Sequence, residues 1–193
     1  MRAILKRGPV VAIIVGLTFV GIGLGVGLYT SSDVSNGQLA TLTSTSQLPK
    51  NPVETLLAQR MATPDGTIQS LAQWKGRKIV VNFWATWCAP CVEEMPALSA
   101  MQQALTPEVV QILGIGIDTP ANIAAFSTRY GIAYPVFSTG IAGTELMRQF
   151  GNTGGGLPYS VLIDGNGKIV RTYLGKLDID ALRRDIVTLA PAM

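Results

Sequence analysis

The feature that most constrains this chain is a strand that runs straight into a paired cysteine. Lys78 to Ala85 (KIVVNFWA) is a β-branched and aromatic run bounded by Gly76. Such a run reads as a buried strand. Two residues later begins Trp87-Cys88-Ala89-Pro90-Cys91, and Ala89 to Ala104 then carries Val92, Met95, Leu98 and Met101 at helical spacing. Further apolar runs at Val109–Ile117, Tyr134–Phe137, Tyr159–Ile163 and Lys168–Leu174 read as extended. Helical patterns at Ala121–Tyr130, Thr144–Phe150 and after Asp178 lie between or beyond them. Asp178 is placed to cap the last helix. Strands alternating with helices imply parallel pairing, and Gly165-Asn166-Gly167 adds an antiparallel hairpin. The expected class is α/β: a mixed β-sheet flanked by helices on both faces.

The cysteines carry the chemistry. Cys88 falls where the strand gives way to the helix, so free backbone N–H groups and the helix dipole stabilise a thiolate there. Cys91 lies one turn deeper on the same side. An exposed sulfur that attacks and a neighbour that resolves the mixed disulfide are what thiol–disulfide exchange needs. A zinc site is the first competing reading, but there are two cysteines and no histidine in the chain. Attachment of a c-type haem needs histidine after Cys91, and Val92 is there. A merely structural Cys88–Cys91 disulfide closes a tiny loop and contributes little. The absence of histidine also removes Ser-His-Asp and Cys-His catalysis. No metal or other cofactor is expected.

Charge separates the two ends of the chain. Of 15 Lys and Arg, Arg2, Lys6 and Arg7 supply the whole net charge of +3, since the other 12 balance 12 Asp and Glu. The folded part has no basic excess, so a nucleic-acid partner is not expected. No charge occurs from Gly8 to Ser32, and residues 10–29 are almost wholly apolar. Twenty helical residues span about 30 Å, the hydrocarbon core of a bilayer. A cleaved signal peptide is the alternative; its apolar region is shorter, about 7–15 residues. Either way the basic end stays cytoplasmic and the rest is exported. The expected layout is a basic N-terminus (1–9), a transmembrane anchor (10–29), a Ser/Thr-rich linker (30–50) and a folded domain (51–193), on the periplasmic or extracytoplasmic side of the inner membrane.

The segment Val81-Asn82-Phe83-Trp84-Ala85-Thr86-Trp87-Cys88-Ala89-Pro90-Cys91 resembles the active-site strand and loop of the thioredoxin superfamily. Glu93-Glu94-Met95-Pro96 extends the likeness into a kinked helix. Gly156-Leu157-Pro158 before Tyr159 resembles the loop whose cis proline faces the dithiol, and Gly165 to Val170 resembles the terminal hairpin. With the apolar N-terminus, the chain is most similar to the TlpA-like and ResA-like membrane-tethered thiol–disulfide oxidoreductases. The resemblance implies a thioredoxin-like fold and a redox-active Cys88–Cys91 disulfide. It implies that Trp87, Ala89, Pro90, Leu157 and Pro158 form the loop that meets substrate, with Trp84 packing beneath Trp87. It also implies a disulfide-containing protein substrate, with apocytochrome c as one client, and a transmembrane thiol donor for re-reduction. Asn82 stands where thioredoxin has a buried aspartate, and it cannot act as a base. Glu94, three residues after Cys91, offers a replacement. A solvated surface glutamate, with water as the base, is the competing reading. A thiol peroxidase fits less well, because the residues before Cys88 lack that pattern. A non-catalytic binding module of the same fold also stays open.

Overall fold

The computed structural model describes residues 51–189, all within one compact unit. The predicted basic end, span and linker lie outside these residues, as do the last four positions. Helix α1 (Pro52–Leu57) begins at Asn51, whose side chain accepts the Val53 N–H at 2.9 Å. Strands β1 (Arg60–Ala62) and β2 (Ile68–Ser70) form a separate antiparallel hairpin turning at Pro64-Asp65-Gly66. A single 3-10 turn, Leu71–Trp74, then buries both of its end residues.

The main sheet has the order β5-β4-β3-β6-β7. Its central strand β3 (Ile79–Trp84) is buried at every position. It pairs in parallel with β4 (Gln111–Gly116) and antiparallel with β6 (Tyr159–Ile163). The edges are β5 (Val136–Ser138), parallel to β4, and β7 (Ile169–Leu174), antiparallel to β6. Helices α2 (Ala89–Ala104), α3 (Pro120–Tyr130), α4 (Ala142–Gln149) and α5 (Ile179–Thr188) complete the fold.

Alternation along β3 divides the core. Val80 and Trp84 point into a cluster with Cys91, Met95 and Leu98 of α2, Ile123 and Phe126 of α3, and Leu182 and Ile186 of α5. Ile79, Val81 and Phe83 point the other way, toward α1, α4 and the hairpin. The expected mixed sheet with helices on both faces is therefore present. Phe83 is a core residue against Phe150 and Tyr159. The last parallel strand starts two residues later than Tyr134, because Pro135 has no N–H to pair and Tyr134 turns into the core.

Candidate active site

Strand β3 ends at Trp84, and the chain turns at once. The Cys88 N–H donates to the Ala85 carbonyl at 3.1 Å, and Cys88 itself is the N-cap of α2 with extended backbone angles. Ala89 and Pro90 form the first turn. Proline suits that place, since its missing N–H has no helical partner to lose. Cys88 and Cys91 are joined as a disulfide, with Cα atoms 5.3 Å apart. Cys91 is fully buried, as its place one turn in implies. Cys88 departs from expectation: it is only 6% exposed rather than open to solvent, because it packs into the core cluster with Ala85 and Cys91. The surface beside it is Trp87, 69% exposed, while Trp84 is wholly buried and packs on Phe126 with ring centroids 5.0 Å apart.

The second wall comes from the loop before β6. Phe83 pairs with Tyr159, so continuing the register sets Pro158 beside the end of β3, where the dithiol segment leaves the sheet. The Leu157–Pro158 peptide is cis, as expected. Leu157 is half-buried and packs against both core clusters. The loop is held from within: Asn152 Nδ2 donates to the Gly156 carbonyl at 2.7 Å, and the Tyr159 hydroxyl to the Phe150 carbonyl at 2.7 Å.

Three residues after Cys91 on α2, Glu94 is 2% exposed, so it is not a solvated surface glutamate. Its Oε1 accepts from Asn82 Nδ2 at 2.8 Å and its Oε2 from the Leu177 N–H at 2.9 Å. Burial is the strongest influence on this carboxyl and pushes its pKa up; the two bonds and the charge of Lys176 pull it back by less. Asn82 Nδ2 also donates to Ser160 Oγ at 3.0 Å. The Tyr134 hydroxyl is buried, and burial followed by the Glu94 charge raises its pKa. Asn82 Oδ1, Trp84 Nε1 and the Tyr134 hydroxyl have no hydrogen-bond partner among the described residues.

Three contributors were not visible in the sequence. Lys176 Nζ reaches Glu93 Oε2 at 2.6 Å, so a cation does stand over the acidic pair at the start of α2. Leu177 offers its backbone N–H to Glu94 across 83 residues of chain. Asp118, at the end of β4, binds Thr86 just ahead of Trp87. Among the described residues, no three Cys, Asp or Glu side chains group as a metal site.

Comparison with known proteins places the fold and the family. The Redoxin family model matches residues 44–186. A thiol-disulfide oxidoreductase ResA from Geobacillus thermodenitrificans is 27% identical over 128 residues, 66% of this chain and 71% of that protein. Its counterpart from Bacillus thuringiensis is 30% identical over 128 residues, covering 66% and 72%. Among solved structures, a thioredoxin-related protein from Neisseria meningitidis serogroup B superposes with a TM-score of 0.59 at 35% identity, covering 66% of this chain and 96% of that one. A secreted disulfide oxidoreductase from Mycobacterium tuberculosis, TM-score 0.60 at 20% identity and covering 70% and 99%, shares the fold.

Proposed function

The chain belongs to the Redoxin family and is a thiol–disulfide oxidoreductase of the ResA type; from that premise we propose that it reduces protein disulfides outside the cytoplasm while tethered to the membrane. The reading is carried by one arrangement: Cys88 at the N-terminus of α2, with Cys91 and Glu94 buried further along the same helix.

In the reduced protein, the Cys88 thiolate attacks one sulfur of a substrate disulfide. A bond forms between Cys88 and that sulfur, and the other substrate sulfur leaves as a thiolate. Cys91, deprotonated by Glu94, then attacks Cys88 Sγ. The mixed disulfide breaks, the second substrate thiol leaves, and Cys88–Cys91 is oxidised as the substrate gains two electrons. The backbone beside Pro158 and the flat face of Trp87 would receive an extended substrate segment. Leu157, Ala89 and Pro90 complete that surface.

An exported dithiol must be re-reduced, because its compartment is oxidising. The tether at residues 10–29 would hold the domain near a transmembrane thiol donor, and the three basic residues before it favour export of everything after. Apocytochrome c is a client consistent with the TlpA-like and ResA-like resemblance. The test is catalysis of insulin reduction by dithiothreitol, using the full chain in detergent. Wild type should accelerate it and Cys88→Ser should not; an inactive wild type would favour a binding module. Cys91→Ser should trap clients as mixed disulfides. A C-terminal reporter active only outside the cytoplasm should give signal that stays with the membrane fraction.

A further inference from the structure

We infer that Asp118 is a positioning residue for the dithiol, acting through Thr86 on the segment that presents Trp87 and Cys88. This rests on Cys88 being the attacking sulfur. Ala85 and Cys88 at the ends of the segment are packed in the core, and the part left to be held from outside is Thr86 and Trp87. The strand ladder ends where the Ile117 N–H donates to the Trp84 carbonyl at 2.8 Å, and α2 begins only at Ala89. Between them, Trp87 stands out in solvent and contributes little packing. Thr86 is where the segment is tied down. Both its N–H (3.3 Å) and its hydroxyl donate to Asp118 Oδ2.

The other side of the carboxylate is equally engaged. Asp118 Oδ1 accepts from the Thr119 N–H at 2.7 Å and from Asn122 Nδ2 at 2.8 Å, both at the start of α3. Its carbonyl accepts from Ser138 Oγ at 3.0 Å, at the end of β5. A carboxylate has about four acceptor sites, and four donors fill them here. The group cannot swing without losing charge-assisted bonds. Partial burial pushes its pKa up, but the bonds from Thr86, Asn122 and Thr119 outweigh that and hold the carboxyl below the usual range. Asp118 thus joins the ends of β4 and β5 and the start of α3 to the residue two before Cys88.

The consequence for the chemistry has a definite sign. A Cys88 thiolate is stabilised by the free N–H groups of the first turn of α2, and only while Cys88 holds the N-cap position. Loosening Thr86 lets that position wander and makes the thiolate harder to form. A plain charge effect runs the other way, because removing a nearby carboxylate favours a thiolate.

The experiment is the pH profile of iodoacetamide alkylation of the reduced full chain in detergent, with the labelled cysteine mapped by mass. Thr86→Val keeps the Asp118 charge and the backbone bond but removes the hydroxyl. Its Cys88 profile should move up by about half a unit, about threefold slower below the midpoint. Thr86→Ser keeps the hydroxyl and should follow wild type. Asp118→Asn should shift the same way as Thr86→Val, and the double variant should shift no further than Asp118→Asn alone. A Thr86→Val profile that superimposes on wild type overturns the inference, as does an Asp118→Asn profile that moves down. If Asp118→Asn does not fold, the Thr86 pair decides. Label arriving first on Cys91 instead refutes the role of Cys88, an outcome read separately from the shift.

Discussion

Glu94 has two acceptor oxygens and two buried donors, one on each. Glutamine in its place keeps one acceptor and turns an N–H₂ group toward the other donor. Its effect on pH dependence follows from the raised pKa. A carboxyl whose folded pKa lies above its unfolded value favours folding at acid pH, and that contribution is lost as pH rises through the folded value. Wild type should therefore lose stability relative to Glu94→Gln between acid and neutral pH; urea unfolding of both proteins across that range measures it, and a constant difference would contradict the raised pKa. In catalysis, the variant should slow release of substrate from the mixed disulfide by about a hundredfold at neutral pH, a usual size for a lost general base. Quenched-flow trapping should show the mixed disulfide accumulating, and an unchanged rate would assign the proton to water. Glu94 could be picked out in the sequence because it lies three residues from Cys91. Its partners could not. Leu177 lies 83 residues on, and Ser160 lies 78 residues from Asn82, so only the fold brings them in.

Helix α5 links an ordinary capping rule to the site. Asp178 caps it, its Oδ1 accepting the Ala181 N–H at 3.0 Å, and the residue just before it supplies the N–H that holds Glu94. Asp178→Ala should lower stability by about 1 kcal/mol, with Asp178→Asn restoring most of it; a loss of the same size in both would mean that the cap is not the cause. This helix was legible because its cap and its apolar positions Leu182 and Ile186 are local signals. So were β6 and α2, which run between the residues that the pattern names. The 3-10 turn at Leu71–Trp74 was not, since one turn is too short to show a period. Helix α4 starts at Ala142, two residues before the expected Thr144. Alanine and glycine there carry no apolar signal, although Gly143 is packed so closely that a Cβ would sit 2.3 Å from Thr139 Oγ1.

At the scale of the whole molecule, the two core clusters fix which groups can act on the sulfurs. The cluster on the α2 side holds both cysteines, and the buried ionisable side chain nearest to them along α2, Glu94, is acidic. Direction of electron flow follows from this balance. A dithiol is strongly oxidising when its thiolate is unusually stabilised, because that favours the reduced form. Here Ala89 and Pro90 stand between the cysteines, and Pro90 has no N–H to offer. No Lys or Arg occurs from Trp84 to Met101, while Glu93 and Glu94 are acidic. The fold does bring in one cation that the local sequence lacks, Lys176, but it is paired with Glu93 at 2.6 Å, and both are well exposed. Its field is therefore spent largely on that carboxylate and on water. Stabilisation of a Cys88 thiolate is left to the helix terminus, a moderate effect. The full chain, equilibrated in glutathione buffers and read by the fraction of Cys88–Cys91 disulfide, should have a potential more negative than about −180 mV, the value typical of an isomerase. A more positive value would place the protein among oxidants and reverse the proposed flow of electrons. Lys176→Ala separates the two sources of charge: if Lys176 is occupied by Glu93, the potential should stay within about 10 mV of wild type, a change of about twofold in the exchange constant. A shift several times larger toward the reducing side would show that Lys176 reaches the thiolate after all.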